Sequence, residues 1–150
     1  VLGQLTLIPM GEPVGDALLR MDMNVDEVIN LRGHSKPAGY QLPPGTKYTP
    51  FFLKGGPGAT PGNGRVMKIA NYIMRGWRSG KAVVKVIHCQ HGLNRTGLVT
   101  CICMRISGFE GDAAIACFKA LRPPGIQRKN MRILARNIEI GKGKRKKKTE

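Results

Sequence analysis

The stretch that decides the fold is HCQHGLNRTG, from His88 to Gly97. A β-branched run at 82–88 leads into it and predicts a strand, and residues 96–106 have the composition of a buried helix. Backbone N–H groups in such a strand-to-helix loop can curl around an anion at the helix N-terminus. Five residues separate Cys89 from Arg95, so the sulfur can approach phosphorus from beneath while the guanidinium holds two equatorial oxygens. The stretch therefore predicts a phosphate cradle with a nucleophile at its floor.

The residues of this cradle have separate expected roles. The helix N-terminus and inward-facing amides favour the thiolate form of Cys89. Gly92 lets the loop adopt a positive φ, and Gly97 lets the helix pack close to the sheet. Thr96 is placed to hydrogen-bond the Cys89 sulfur, and His88 is expected to hold the loop from behind. The residues expected around the phosphate are Gln90, His91, Gly92, Leu93, Asn94 and Arg95.

Other interpretations of the histidines, cysteines and glycines fit the sequence less well. His91 either leans towards a substrate phosphate or braces the loop. A zinc site would need paired C-x2-C or H-x3-5-H spacings, which the chain lacks, so we expect no metal. The glycine-rich stretch 55–64 lacks the GK[ST] ending of a nucleoside-triphosphate loop. We expect Cys101, Cys103 and Cys117 to be small buried apolar side chains.

Strand and helix patterns alternate along the rest of the chain. Residues 26–32 predict a buried strand, and 48–53 predict another at a sheet edge because of Pro50. The glycine-rich stretch 55–64 predicts no regular structure. A first helix, ending at Gly80, is predicted by apolar residues at spacings of three and four: Val66, Ile69, Ala70, Ile73 and Trp77. Three further helices are predicted at 96–106, 111–121 and 128–140, and RPPGI (122–126) separates the last two. The alternation implies one α/β domain over 1–140 with a parallel sheet covered on both faces.

The charge is the unusual feature of the composition. The 150 residues include 25 Lys and Arg against nine Asp and Glu, a formal +16, and no acidic residue occurs from Val28 to Phe109. This favours a polyanionic partner, although a generic basic surface or a ribosome-type protein has similar charge. GKGKRKKKTE (141–150) predicts a disordered basic tail, for nuclear import, RNA affinity or simple linkage.

Composition and cysteine usage also bear on location. No apolar run is long enough to span a membrane, so we expect no membrane association. Four cysteines without a secretory signal indicate a reducing compartment, the nucleus or the cytoplasm. The chain opens with Val1 rather than Met, so we expect a processed chain or a segment of a longer one.

The motifs resemble the cysteine-dependent phosphatase superfamily, and the loop is similar in particular to its RNA 5′-triphosphatase branch. That branch includes the triphosphatase domain of metazoan mRNA-capping enzymes and a baculovirus phosphatase, whose loop usually reads HCTHGxNRTG; Gln90 stands where Thr is usual. LRPPGI (121–126) resembles the family's ARPPGI, and LIPMGEP (7–13) is similar to its FIPxKxP-like segment. The resemblance covers residues 5 to 139. It implies a protein-tyrosine-phosphatase-like α/β fold, with a central mostly parallel twisted sheet flanked by helices.

The resemblance also implies a mechanism without metal or cofactor: Cys89 attacks the terminal phosphorus, water hydrolyses the cysteinyl-phosphate, and Arg95 stabilises both transition states. The lack of an acidic residue from 28 to 109, a stretch that includes Cys89, adds an argument about the substrate from the sequence itself. Protein-tyrosine phosphatases use an aspartic acid upstream of the cysteine to protonate a poor leaving group. This chain has none from 28 to 109, unless Asp26 or Asp112 folds back. Cleavage of a γ-phosphate expels a diphosphate end that needs no acid, so the sequence favours phosphoanhydride substrates.

The sequence thus predicts an RNA 5′-triphosphatase that removes the γ-phosphate, and the β-phosphate as some relatives do. The alternatives are a dual-specificity phosphatase for phosphoprotein or phosphoinositide, and a noncatalytic RNA-binding module. The expected partners are RNA with a 5′-triphosphate end and a guanylyltransferase domain or other capping machinery, with the nucleus as the favoured compartment. The expected RNA contacts are Lys36, Lys54, Arg65 and Arg128.

Overall fold

The computed structural model describes residues 4–56, 58 and 60–141. The predicted basic tail, apart from Gly141, lies outside the described residues. Among the helices that are described, none is long and apolar enough to cross a membrane. In chain order the elements are β1 (Leu5–Met10), β2 (Glu27–Asn30), β3 (Lys47–Pro50), α1 (Asn63–Met74), β4 (Val83–His88), α2 (Arg95–Ile106), α3 (Gly111–Leu121) and α4 (Lys129–Asn137).

The four strands form one parallel sheet in the order β1-β4-β2-β3. The central strand β4 pairs with β1 and β2, and both Met10 and Asn30 lie opposite His88. The carboxyl ends of these three strands therefore meet at one edge of the sheet, where ligands of open parallel sheets bind. β3 is an edge strand, as Pro50 predicts. The predicted fold class, a parallel α/β sheet flanked by helices, is confirmed.

The two faces of the sheet are covered differently. Side chains alternate along β2 and β4, so Ile29 and Ile87 share one face while Val28 and Val86 share the other. Ile29 and Ile87 belong to the larger core, which includes apolar side chains of all four described helices. Val28 and Val86 pack in a smaller core on segments that join the strands, with Leu18, Val25 and Tyr40. Fully burying each such aliphatic side chain contributes about 1.5–3 kcal/mol.

The ends of several elements differ from the sequence-based expectation. α1 begins at Asn63, inside the glycine-rich stretch, and ends at Met74 rather than at Gly80. The chain turns there because Arg75, with a ψ of 125°, leaves the helical conformation and Gly76 has a φ of +73°. Trp77 continues the apolar spacing because it packs on the same core from beyond the turn. α4 is also shorter than predicted, since Ile138 leaves the helical conformation and ends it. β2 is shorter than the strand predicted at 26–32, and β3 begins one residue before the predicted 48–53 and ends three residues earlier.

Candidate active site

The loop of residues 89–94 joins the carboxyl end of β4 to the first residue of α2. Cys89 follows the strand directly, is a free cysteine, and exposes only 3% of its surface. Arg95 opens α2, as the motif spacing predicts. The strand-to-helix cradle expected from the sequence therefore has a cysteine at the end of the central strand and an arginine at the start of the following helix.

The Arg95 guanidinium lies against the segment that follows β3. Its Nη1 donates to the Leu53 carbonyl at 3.4 Å. A Cβ atom added to Gly55 would stand 2.6 Å from the guanidinium carbon, closer than real Cβ contacts allow. Only a glycine at position 55 leaves room for the arginine in this position. The sequence reasoning classed Gly55 as loop and missed this role, and its place just after a strand is the only signal of it.

His88 lies fully buried behind the loop. Its Nδ1 is 3.0 Å from the Cys89 carbonyl, and its Nε2 is 2.8 Å from the Tyr40 hydroxyl. A carbonyl only accepts, so Nδ1 carries the proton and Nε2 accepts from Tyr40. Burial lowers the pKa of His88 and raises the pKa of Tyr40, so both groups stay neutral. His88 thus holds the loop from behind, and Tyr40, which the sequence reasoning did not single out, fixes its tautomer.

The end of β1 packs against the middle of the loop. Gly92 has a φ of +74°, as predicted, and a Cβ there would overlap the Met10 carbonyl and the Gly11 nitrogen. The Glu12 backbone N–H donates to the Gln90 carbonyl at 3.0 Å. The segment matched as LIPMGEP is therefore a wall of the cradle.

The RPPGI element and the two residues that follow it also contact the loop. The Asn94 Oδ1 accepts the backbone N–H groups of Gln127 and Arg128, at 2.9 Å each. Arg122 Nη2 donates to the His91 carbonyl at 3.0 Å. The side chain of Asn94 thus positions the loop, while Gln90 and His91 keep exposed side chains and Leu93 is half-buried.

Two expected contacts of α2 are wrong. A Cβ on Gly97 would stand 2.6 Å from atoms of Ile126 and Phe118, so this glycine admits α3 and the RPPGI element rather than the sheet. The Thr96 hydroxyl is buried and has no hydrogen-bond partner among the described residues, so the expected bond to the Cys89 sulfur is absent. Thr96 still lies one residue after Arg95 in the first turn of α2.

Neither aspartate that could have folded back reaches the cradle. Asp26 Oδ2 accepts the Val84 N–H at 2.8 Å, at the far end of the sheet. Val84 precedes Cys89 by five residues of strand, a separation of about 16 Å. Asp112 pairs with Arg136 at 2.6 Å.

One acidic residue does contact the cradle, through its backbone, and it lies in the N-terminal segment. Glu12, whose backbone bonds to the loop, pairs through Oε1 with Arg32 at 2.6 Å. Its other oxygen, Oε2, is buried and has no partner among the described residues. Glu12 lies upstream of the acid-free stretch from 28 to 109, so the sequence argument from that stretch did not cover it.

Three of the four expected RNA contacts surround the segment that holds Arg95. Arg65 Nε donates to the Phe52 carbonyl at 3.1 Å, and Arg128 donates to the Gly56 carbonyl. Lys54 is exposed directly before Gly55, and Lys36 is exposed on the neighbouring loop. Whether these side chains contact RNA stays a prediction.

The remaining cysteines are core residues. Cys101 and Cys103 are fully buried in α2, and Cys117 is half-buried in α3. Burial raises the pKa of Cys101 to about 12 and raises that of Cys103 as well, so both stay neutral thiols. Over the part of the chain that the structure describes, no group of three or more His, Cys, Asp or Glu side chains is placed to hold a metal ion.

The parallel sheet and its flanking helices form a protein-tyrosine-phosphatase-like fold, which several solved structures share. The chain matches human DUSP28 with a TM-score of 0.67 and 16% identity over 86% of this chain and 87% of that one. It matches the core catalytic domain of the PP-IP phosphatase SIW14 from S. cerevisiae, in complex with citrate, with a TM-score of 0.70 and 12% identity over 99% and 88%.

A third match is Tk-PTP in its active form, with a TM-score of 0.57 and 22% identity over 71% of this chain and 73% of that one. No protein-family profile matches the chain, and no curated protein does. The likeness therefore establishes the protein-tyrosine-phosphatase-like fold, and the choice of substrate depends on the site itself.

Proposed function

We propose that the protein is an RNA 5′-triphosphatase that removes the γ-phosphate, and then the β-phosphate, from the 5′ end of RNA. The observation that supports this most is the cradle itself, in which one short loop joins Cys89 to Arg95 and neither Asp26 nor Asp112 is in place as a proton donor. The loop sequence and the acid-free basic stretch from 28 to 109 agree with it. A guanylyltransferase or other capping machinery is the partner we propose for its product.

The proposed reaction has two displacements at phosphorus. The Cys89 thiolate attacks the γ-phosphorus, an S–P bond forms, and the bond to the bridging oxygen breaks, so diphosphate-ended RNA leaves with the electron pair. Water then attacks the cysteinyl-phosphate, releases inorganic phosphate and a proton, and restores the thiolate. Arg95 offers two parallel N–H donors to the equatorial oxygens, which suits both transition states.

The placement of the carboxylates favours an anhydride over an ester substrate. Phenol and alcohol leaving groups need a general acid, whereas a diphosphate end is stable as an anion. Asp26 and Asp112 are held elsewhere by Val84 and Arg136. Glu12 contacts the loop through its backbone, and its Oε1 is occupied by the ion pair with Arg32.

A dual-specificity phosphatase for phosphoprotein or phosphoinositide is the second candidate, because DUSP28 shares this fold. That function requires a proton donor, and Glu12 is the candidate, because it is the acidic residue whose backbone contacts the loop. The two candidates therefore differ in what the substitution Glu12→Gln does to the rate.

One side-by-side assay tests the proposal. Phosphate release is measured in EDTA from RNA with triphosphate and diphosphate ends, from a phosphotyrosine peptide and from a phosphoinositide. We expect RNA to be the best substrate and Cys89→Ser to abolish turnover. Glu12→Gln should leave the rate of phosphate release from RNA unchanged, because a diphosphate leaving group needs no proton donor. Peptide or inositide turnover far above RNA turnover, with a collapse in Glu12→Gln, would establish the second candidate instead. Loss of RNA activity in EDTA would refute the metal-independent mechanism.

A further inference from the structure

Phe52 is an aromatic side chain that lies outside the hydrophobic core. It exposes 60% of its surface, although Leu53 beside it is buried. Side chains alternate along an extended chain, so Phe51 and Leu53 pack into the larger core while Phe52 points away from it. Exposing a phenyl ring has no benefit for folding, so the ring is available to a ligand.

The backbone of Phe52 is held on several sides. An isolated bridge pairs it with Arg32, and its carbonyl accepts Arg65 Nε at 3.1 Å. Gly33, at a φ of +77°, lies so close that a Cβ there would stand 2.8 Å from the Phe52 Cβ. The backbone that bears the ring is thus already fixed. A ligand that covers the ring therefore loses little binding free energy to ordering the chain.

Phe52 lies beside the cradle. The next residue, Leu53, accepts the Arg95 guanidinium through its carbonyl at 3.4 Å. With one residue between them, the Phe52 ring is on the order of 10 Å from the guanidinium. Such a separation leaves room for a polyphosphate between the cradle and the ring.

The surroundings of Phe52 are basic. Exposed Lys54 and Arg65 flank it, and the sequence from 28 to 109 supplies no acid to neutralise them. An aromatic face among cations is the arrangement with which proteins bind single-stranded nucleic acid, because bases stack on the ring and phosphates pair with the cations. A phosphoserine or phosphothreonine side chain would meet the same cations but has no aromatic face to stack on the ring.

We propose that Phe52 is the stacking platform for a base near the 5′ end of the RNA, with Lys54 and Arg65 along the phosphates that lead to Arg95. This deepens the proposed function and rests on it. It explains how an enzyme whose reaction is confined to the polyphosphate would prefer RNA to a bare polyphosphate.

The kinetic test compares triphosphate-ended RNA with inorganic tripolyphosphate, which has the same anhydride and no base. We expect Phe52→Ala to lower kcat/KM for RNA by about 5- to 150-fold, mainly through KM, and to leave tripolyphosphate hydrolysis unchanged. Phe52→Trp should retain RNA activity. Phe109→Ala is the matched control, since Phe109 is 41% exposed next to α3, away from the cradle. Equal losses on both substrates, or no loss on RNA, would overturn the stacking role.

A binding test separates this inference from the proposed reaction. Fluorescence anisotropy with the Cys89→Ser protein measures its affinity for triphosphate-ended RNA, and for the same RNA with abasic 5′ nucleotides. Phe52→Ala should weaken binding of the first RNA and make no difference to the second. If the wild type binds RNA through Phe52 but does not hydrolyse it, the triphosphatase proposal fails and stacking stands. If RNA is hydrolysed while Phe52→Ala weakens only phosphopeptide binding, stacking fails alone.

Discussion

The substitution Gly55→Ala should move the Arg95 guanidinium, to which we assign a catalytic role, without changing the stability of the fold. The added Cβ would stand 2.6 Å from the Arg95 guanidinium carbon. Ordinary contact begins near 3.5 Å, so the guanidinium must retreat by about 1 Å. A misplacement of that size in a catalytic group costs about 100-fold in rate. Gly55 does not have a positive φ, so alanine fits its backbone, and the atoms that move are the end of a flexible side chain.

We therefore expect Gly55→Ala to lower kcat/KM on triphosphate-ended RNA about 100-fold, while its free energy of unfolding in urea changes by less than about 0.5 kcal/mol. Gly62→Ala is the matched control, because a Cβ there meets nothing within 4 Å. It should retain full activity. If Gly55→Ala is as active as Gly62→Ala, the guanidinium does not rest on residue 55 in the working enzyme, and the reasoning is wrong.

Three further predictions concern the supports of the cradle. Gly92→Ala should destabilise the fold by about 2–6 kcal/mol in urea titrations, because strain at positive φ adds to overlap with the Met10 backbone; a loss below 1 kcal/mol would contradict this close packing. Tyr40→Phe leaves the buried Nε2 of His88 without its donor and should cost about 1–3 kcal/mol in the same titration, and an unchanged midpoint would refute that hydrogen bond. Burial lowers the pKa of His88, so between the lowered value and the ordinary one the unfolded chain binds a proton at this residue and the folded chain does not. The stability from this group is therefore complete above about pH 6.5 and declines as the pH falls towards the lowered value, a dependence that His88→Gln should lack if calorimetry at several pH values follows it.

Local patterns carry enough information to predict the scaffold. The β-branched run before Cys89 and the motif spacing after it place β4, the loop and α2, because each depends on residues that are neighbours in the chain. The edge position of β3 follows from Pro50, and α3 matches its predicted bounds of 111–121. The start of α1 within the glycine-rich stretch was missed because the packing of its later turns outweighs local glycine propensity.

The supports of the cradle could not be predicted because they come from distant parts of the chain. Tyr40 and His88 are 48 residues apart, and Arg95 and Leu53 are 42 apart. Their meeting depends on strand order and on how loops cover the sheet, which no local pattern encodes. Glu12 was missed for a similar reason, since parallel pairing of β1 with β4 returns the N-terminal segment to the loop.

The Thr96 hydroxyl is a different case. Motif spacing predicts the residue, but the direction of its hydroxyl depends on a side-chain rotamer and on the packing around α2. The structure leaves that hydroxyl buried without a partner among the described residues. Sequence patterns thus locate Cys89, Arg95 and Thr96 along the strand, loop and helix, and the finer contacts among them come from tertiary packing.

The most direct measurement of the central claim is acid-quench trapping of the covalent intermediate. RNA labelled in its γ-phosphate is mixed with the protein in EDTA and quenched on the millisecond scale, and the labelled peptide is mapped by mass spectrometry. We predict that the label passes from RNA to Cys89 and then to free phosphate, and that Cys89→Ser takes up none. Release of phosphate without any label on Cys89, or labelling that survives in Cys89→Ser, would contradict the account.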